Sequence, residues 1–473
     1  HQRVRIYDMR KGGITVFLSL VFVLLLAFVS GIIQSSVVRT AGNLSRLETD
    51  RAVYSIFGEY QKQLLEQYQI FAVEGSYGTG TYEEENLVRR MHCYETGNTD
   101  HEVTEIQYLT DNNGQAFREQ VLTYMEQKYG LSLIQEFTGL TSQWEEQEIQ
   151  SEETREQQED VMREIQQLGG LLEDSQEEGQ QEENTENPFE FMEKIQNTGL
   201  ISVVLPEEMT LSEKEIDPDM QVSYRGLTSG RGTFTARSNM NGIEEKLLFD
   251  EYVLKKFDNA ALGDGDEIPD NRTLDYEVEY ILSGKSSDKD NLESVLLKIF
   301  LIRIVLNYVY LMTDTGKQGE AQILALAISA LLMIPEAVEV IKQLILAAWA
   351  AGESVVDIRS LLAGKRAALI KNAENWQTSL TSLFTLGSER DGESGSDAAG
   401  GLSYEDYLRA FLFIGNSDKV TMRTLDRVEE NLKSEQELEF IRMDHCVTKI
   451  EMKNTALIYG NLTYQFPVRF GYE

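Results

Sequence analysis

The residues best suited to chemistry in this chain are two histidine-cysteine pairs, His92-Cys93 and His445-Cys446, which contain both of its cysteines. A disulfide between Cys93 and Cys446 would close a loop of roughly 350 residues and stabilise the fold by on the order of 4–5 kcal/mol in the chain-entropy model. Two unpaired, buried thiols are the second interpretation. A zinc site built from both pairs is disfavoured, because adjacent residues of a strand point to opposite faces. The pattern therefore favours a disulfide and predicts no metal site.

Carboxylates supply the other candidate chemistry. Acids crowd the loop at residues 258–270, but they lack the alternating acids, sixth-position glycine and twelfth-position glutamate of an EF-hand calcium loop. Glu353 and Asp357 are one helical turn apart and could share a helix face as an acid and a base. Such a pair is more often an exposed or arginine-paired helix edge, and Arg359 and Lys365 are close by in the sequence. No phosphate-binding glycine motif, nucleophile elbow or zinc-protease motif occurs. The sequence predicts neither an enzyme nor a bound cofactor.

The charge balance limits the partners. The 473 residues contain 43 basic and 79 acidic side chains, for a net charge of −36. A surface this negative repels the phosphates of nucleic acids and of anionic lipid headgroups, so the composition argues against a nucleic-acid-binding role. A hydrophobic fraction of 41% over this length is enough for a sizeable core.

One segment has the composition of a membrane span. No charged residue occurs from residue 12 to residue 38, and the run that begins at Ile14 and ends at Ile33 holds fifteen Ile, Leu, Val or Phe side chains in twenty positions. Those side chains contribute roughly −4 to −9 kcal/mol to membrane insertion. The run is longer than the apolar part of a cleavable signal, so we expect it to stay in the bilayer.

The flanking charges predict the orientation of this span. Four basic residues and one acid precede it, and the positive-inside rule then keeps residues 1–13 in the cytoplasm. The rest of the chain lies outside, which predicts a single-pass protein of the cell membrane with its bulk extracellular. The membrane is accordingly one predicted partner.

Periodicity and composition divide the chain further, and the predicted fold class is α+β. A helical pattern of apolar residues follows the span, and an alternating pattern closes the chain as a β-hairpin or small sheet with its turn at residues 453–455. Shorter patterns predict a strand over 103–109, a β-like glycine-rich region over 222–236, and helices over 243–257 and 354–384. Ser403 is the predicted N-cap of the helix that follows the linker. Residues 321–349 are apolar on nearly every face and predict a buried central helix, kinked or split at Pro335. A second membrane span is the alternative, but the charge-free part is only 15 residues long and Glu336 and Glu339 follow it. The expected segments are a basic tail (1–13), a transmembrane helix (14–33), a stalk helix (34–72), a mixed α/β part (73–141), an acidic Glu/Gln-rich insertion (142–193), a second mixed part (194–290), a helical bundle (291–386), a Gly/Ser-rich linker (387–402), and a helix followed by the hairpin (403–473).

Specific segments carry a family resemblance. The opening RKGGITVFLSLVFVLLLAF and the stalk sequence LSRLETDRAVYSIFGEY resemble the amino-terminal anchor of TadE- and TadG-like proteins, the pseudopilins of tight-adherence pilus systems. The segments EYILSGKSSDKDN, AGESVVDIRSLLAGK and LSYEDYLRAFLF resemble an uncharacterised family of Firmicute membrane proteins that accompanies such pilus loci. The resemblance implies a pilus-locus role and no catalysis.

The resemblance also identifies a processing position and a departure from the pattern. Gly12 and Gly13 are the candidate cleavage positions of a prepilin peptidase. Pilins carry glutamate five residues past that glycine, where this chain has Phe17 or Leu18. We therefore expect a minor pseudopilin-like subunit or assembly factor whose partners are other pilus subunits and assembly-platform proteins. The alternative is a membrane-anchored adhesin or ligand-binding module outside any filament.

Overall fold

The computed structural model describes residues 2–97, 99–130, 190–206, 209–237, 242–261, 272–388, 390–458 and 462–472. The helices are α1 (Gln2–Phe57), α2 (Lys62–Tyr68), α3 (Glu84–His92), α4 (Asp111–Tyr129), α5 (Glu190–Thr198), α6 (Ile201–Val204), α7 (Ile243–Lys256), α8 (Glu277–Ser283), α9 (Asp288–Thr313), α10 (Thr315–Leu331), α11 (Val338–Leu362), α12 (Tyr404–Ile414) and α13 (Ser417–Lys433). The strands are β1 (Val73–Glu74), β2 (Thr99–Tyr108), β3 (Cys446–Ile458) and β4 (Leu462–Gly471). A long apolar amino-terminal helix, a mainly helical middle and a small carboxy-terminal antiparallel sheet confirm the predicted mixture of elements.

The chain forms two compact units, each assembled from segments distant in sequence. Unit 1 consists of His1–Asp111, Thr228–Thr235 and Phe440–Glu473. Unit 2 consists of Asn112–Leu227 and Ala236–Glu439. Unit 1 therefore contains the apolar amino-terminal helix together with the sheet, and unit 2 contains the helical core.

The sheet of unit 1 is built around β3. This strand pairs antiparallel with β2 along one edge and with β4 along the other, and β1 adds two residues beside its beginning. The register is such that Ile450 lies opposite Ile106 of β2 and Phe470 of β4. Alternate residues of β3 are buried, which is the period-two pattern of a strand with one face on a core.

The carboxy-terminal part of α1 covers this sheet. Ala52, Val53, Ile56 and Phe57 are buried in one core with β-strand residues, and helix α3 contributes Leu87 and Met91 to the same core. The spacing of three and four residues along α1 places its four side chains on one face. The helix ends at Phe57, before Gly58, so the predicted stalk helix is shorter than residues 34–72 and is followed by the separate helix α2.

Unit 2 has a helical core in which α11 is the most buried element. From Ile341 onward this helix is buried on nearly all faces, and it packs against α9 and α10. A capping box begins α12, where Ser403 accepts from the Asp406 backbone nitrogen and Asp406 accepts from that of Ser403. This confirms the predicted N-cap.

The prediction for residues 321–349 is partly wrong. Pro335 splits the segment into α10 and α11, as expected, and the second half is buried. The first half buries only one face, with Ala321, Ala325 and Ile328 inward, while Ile323 is 72% exposed and Met333 88% exposed. The apolar composition suggested burial on all sides, but α10 packs against other helices on one face only. Most of its remaining apolar side chains therefore stay exposed. The predicted helix over residues 354–384 also ends early, at Leu362.

Other local predictions divide in the same way. The alternating run at residues 103–109 belongs to β2, and the helix predicted over residues 243–257 is α7, so both are confirmed. The glycine-rich segment at residues 222–236 is not a strand; it meets β2 through a single bridge between Ile106 and Arg231 and through hydrogen bonds from the Arg231 side chain to the Val103 and Thr104 carbonyls. The pairing of the last two strands is confirmed, but residues 453–455 lie inside β3 and are not the predicted turn.

Candidate functional site

The main candidate site is the apolar first part of α1. Residues 14–33 form part of one continuous helix, and every one of their side chains is exposed. Within the described residues, two helices are long and apolar enough to cross a membrane, the α1 stretch Gly13–Phe57 and α9. The spanning window of the first is entirely unburied, whereas α9 carries the buried Arg303 in its centre and packs in the core of unit 2. The apolar run of α1 is therefore left uncovered by unit 1.

The junction of α1 with the sheet is closely packed. A Cβ added at Gly42 would lie 3.1 Å from the Tyr464 ring of β4, so the absence of a side chain there lets the strand approach the helix. Further along, the Phe57 ring lies 4.7 Å from that of Phe470. The exposed segment is thus the extension of a helix that is fixed at its other end by the core of unit 1.

The two cysteines do not form the predicted disulfide. Neither is joined in a disulfide: Cys93 is exposed directly after α3, and Cys446 is buried at the beginning of β3. The Cys93 thiol lies 3.6 Å from the Arg89 carbonyl of its own helix, whereas Cys446 is opposite Glu74 in the sheet. The two thiols thus have different surroundings, one at an exposed helix end and one at a buried strand start, and the similarity of the two dipeptides was misleading.

The histidines beside these cysteines also have different surroundings. The His445 ring stacks on Tyr82 at 5.1 Å. His92 lies instead beside Glu95 and His101, and one ligand atom from each of these three side chains falls within 4.8 Å of the others. Sequence reasoning missed Glu95 and His101, because they reach His92 through a turn and a strand whose register could not be read from spacing. The one available signal was the alternation that turns His101 inward on β2.

Glu353 and Asp357 do share one face of α11, as predicted, but that face is completely buried. Asp357 accepts from Arg303 of α9 at 2.6 Å and from Lys371 Nζ at 2.7 Å. Glu353 accepts from Lys371 Nζ at 2.5 Å and from the backbone nitrogen of Thr378 at 2.8 Å. All four charged side chains are at most 1% exposed. The expected exposed edge near Arg359 and Lys365 is therefore wrong: the pair is in the interior and its cations are Arg303 and Lys371. Arg359 pairs with Asp391 instead.

The electrostatics of this cluster balance two positive and two negative groups. Burial alone would lower the pKa of the Arg303 guanidinium, but the Asp357 carboxylate outweighs that effect and raises it. With every partner in place and the side chains buried, the carboxylates hold the segment around Lys371 and Thr378 against α11. The cluster is therefore structural: it fixes the segment around Lys371 to α11, and we call it an internal brace.

Unit 2 contains further buried acids that the sequence did not single out. Burial raises the pKa of Asp250 on α7 to about 8, although the nearby Arg118 guanidinium acts in the opposite direction. Burial also raises the pKa of Glu279 to about 7, against a hydrogen bond from the Tyr404 hydroxyl at 2.8 Å. Amphipathic patterning gives no signal for such residues, because their burial depends on packing between distant helices.

Two of the acidic segments remain predictions. The loop at residues 258–270 is described only as far as residue 261, and the Glu/Gln-rich segment at residues 142–193 only from residue 190. The calcium interpretation of the loop and the solvated insertion therefore lie outside the described residues.

Comparison with known proteins gives one match. Residues 178–458 match a family model described as "Family of unknown function (DUF5702)". The match covers more than half of the chain, including most of unit 2 and strand β3. No curated protein and no solved structure matches the chain.

Proposed function

This chain belongs to the Family of unknown function (DUF5702), and on that premise we propose that it is a membrane-anchored, exported structural protein. The observation that carries the proposal is α1, whose first part is apolar and uncovered while its last part is fixed in the core of unit 1. Uncovered apolar surface of this extent is unfavourable in water, by about 25 cal/mol per Å². It requires either lipid or other apolar helices around it.

The charge pattern supports one direction of insertion. The basic residues before residue 14 stay in the cytoplasm, and both folded units then lie on the outer side of a single span. This makes α1 an anchor for an acidic exported head.

Within that class, we propose a minor pseudopilin-like subunit or assembly factor of a tight-adherence pilus. The support is the resemblance of the opening segment to such anchors and the continuity of α1 from the apolar part into the folded head. In a filament, the apolar parts of neighbouring subunits would cover one another after leaving the bilayer. The head would then contact other exported pilus components.

The alternative is an anchored adhesin or ligand-binding module that never enters a filament. One observation favours it: Phe17 or Leu18 occupies the position where pilins carry glutamate. Without that carboxylate, α1 cannot form the ion pair with a neighbouring amino terminus that pilins use, and the apolar segment would remain in lipid.

Shearing of cells tests the proposal. A filament subunit is expected in the sheared filament fraction, with its amino terminus cut after Gly12 or Gly13 when measured by mass spectrometry. A Gly12→Val, Gly13→Val double variant is the matched control and should stay uncut in the membrane. Recovery of the unmodified chain only in membranes would contradict the pilus proposal and support the anchored module.

A further inference from the structure

The His92, Glu95 and His101 side chains of unit 1 converge at the end of α3. The Glu95 Oε2 atom lies 2.8 Å from His101 Nε2 and 3.8 Å from His92 Nδ1. Tetrahedral coordination at about 2.1 Å places ligand atoms about 3.4 Å apart, so small side-chain movements would bring all three onto one ion. Two imidazoles and one carboxylate are ligands that zinc accepts, with a fourth position left for water.

The burial and hydrogen bonding of the cluster point to a ligand. The Glu95 and His101 side chains are 2% and 0% exposed, yet Glu95 Oε1 has no hydrogen-bond partner in the part of the chain that the structure describes. An unpartnered buried carboxylate oxygen is costly and is rare in folded proteins. The His92 side chain is 48% exposed, which leaves a path from solvent to the cluster.

A second layer of contacts orients His101. The Asn454 side-chain amide nitrogen donates to the Met452 and Phe466 carbonyls, which turns its Oδ1 toward His101 Nδ1 at 2.6 Å. The Nδ1 proton is therefore committed to Asn454, and Nε2 is the nitrogen that faces Glu95. Metal-binding histidines are held in this way by a hydrogen bond at the other ring nitrogen.

The turn that carries Glu95 is held from both sides by α1. The Arg51 guanidinium donates to the Tyr94 carbonyl at 3.0 Å, and the Thr96 hydroxyl donates to Glu48 at 2.6 Å. Glu95 lies between these two fixed points, so its position does not depend on a ligand. The geometry is partly built in advance, which lowers the ordering cost of binding.

From these contacts we propose that His92 Nδ1, Glu95 and His101 Nε2 bind a zinc ion. The ion would join the end of α3 and the following turn to strand β2, beside the part of α1 that enters the core. The proposal is independent of the function proposed above, because it concerns the interior of unit 1 and requires neither a filament nor a membrane.

Metal titration of the full chain tests the proposal. The protein is purified in detergent without a polyhistidine tag, stripped with a chelator and titrated with ZnCl2 by calorimetry. We expect one tight equivalent, with affinity reduced at least about tenfold by His92→Ala and by Glu95→Gln. Glu85→Gln, which removes an exposed acid from the same helix, is the control and should bind as the wild type does. Binding that none of these substitutions changes would overturn the proposal.

A second measurement separates a specific site from weak binding by the many surface acids. Cobalt(II) in the proposed site should give the strong visible absorption of four-coordinate cobalt, and zinc should raise the melting temperature of the wild type and of Glu85→Gln. The His92→Ala variant changes an exposed side chain and should fold, but lose both effects. Equal spectra and equal melting shifts in wild type and His92→Ala would contradict a zinc site.

Discussion

At the scale of single residues, the buried charges of unit 2 should have the largest effects on the free energy of unfolding. Glu353 and Asp357 share two cations, Arg303 and Lys371, inside a fully buried cluster. Removing one partner of a buried pair leaves a charge with neither water nor a counter-ion, and this costs more than the intact pair contributes.

We therefore expect Lys371→Met to lower the free energy of unfolding by about 3–5 kcal/mol. Chemical denaturation of the full chain in detergent measures this change. Arg366→Gln is the matched control, because it removes an ion pair with Asp397 whose side chains are both nearly half exposed, and its effect on stability should be much smaller. A loss for Lys371→Met no larger than that of the control would show that the cluster is not a brace.

The buried Asp250 makes stability depend on pH. Its pKa is raised to about 8 in the folded protein and returns to its ordinary value near 3.9 on unfolding. A raised folded pKa contributes stability that is complete below the unfolded pKa and is lost as pH rises through the folded one. The Asp250→Asn variant, which cannot ionise, should therefore gain stability relative to the wild type by about 1.4 kcal/mol per pH unit between roughly pH 4 and 8.

Denaturation at several pH values compares the two proteins. Asp219→Asn removes an exposed carboxyl from the same unit and should follow the wild type across the range. If the difference between wild type and Asp250→Asn is constant with pH, Asp250 is ionised in the folded state and the prediction is wrong.

Residue-level chemistry was only partly accessible from the sequence. The pairing of Glu353 and Asp357 on one helix face followed from their spacing, but their burial did not, since Arg303 and Lys371 come from other parts of the chain. The cysteines show the opposite failure, because two identical dipeptides suggested a bond that the structure does not contain.

At the scale of elements, α10 and α11 test how far composition predicts burial. Both halves of residues 321–349 are apolar, yet Leu344 on α11 is buried and Leu331 at the end of α10 is nearly half exposed. We expect Leu344→Ala to lower the free energy of unfolding by about 2–5 kcal/mol, because it removes buried methyl groups and leaves a cavity. Leu331→Ala should cost under about 0.5 kcal/mol.

Thermal or denaturant unfolding of the two variants measures the difference. An equal, large loss for both would mean that α10 is as enclosed as α11. Local sequence rules predict that helices form here and that Pro335 separates them. They do not predict how many faces of each helix are buried, because that depends on which other segments pack against it. The missed helices α3 and α13 illustrate the same limit, since their polar faces dominate their composition.

At the scale of the whole molecule, the proposed membrane anchoring depends on α1. The sequence alone identified its apolar run, because twenty consecutive positions without a charge need no tertiary information. What it could not supply is the division into two units, since unit 1 takes its sheet from segments more than 300 residues apart, joined by the pairing of β2 with β3. Long-range strand pairing is set by packing and register, which local periodicity does not encode.

The central claim is that α1 spans the membrane and leaves both units outside the cell. The exposed thiol of Cys93 allows a direct test, with the buried Cys446 as an internal reference and Cys93→Ser as the control. A membrane-impermeant maleimide added to intact, cell-wall-stripped cells is predicted to label the wild type at Cys93 and to leave Cys93→Ser unlabelled. Labelling of Cys93 only after the membrane is permeabilised would contradict the claim.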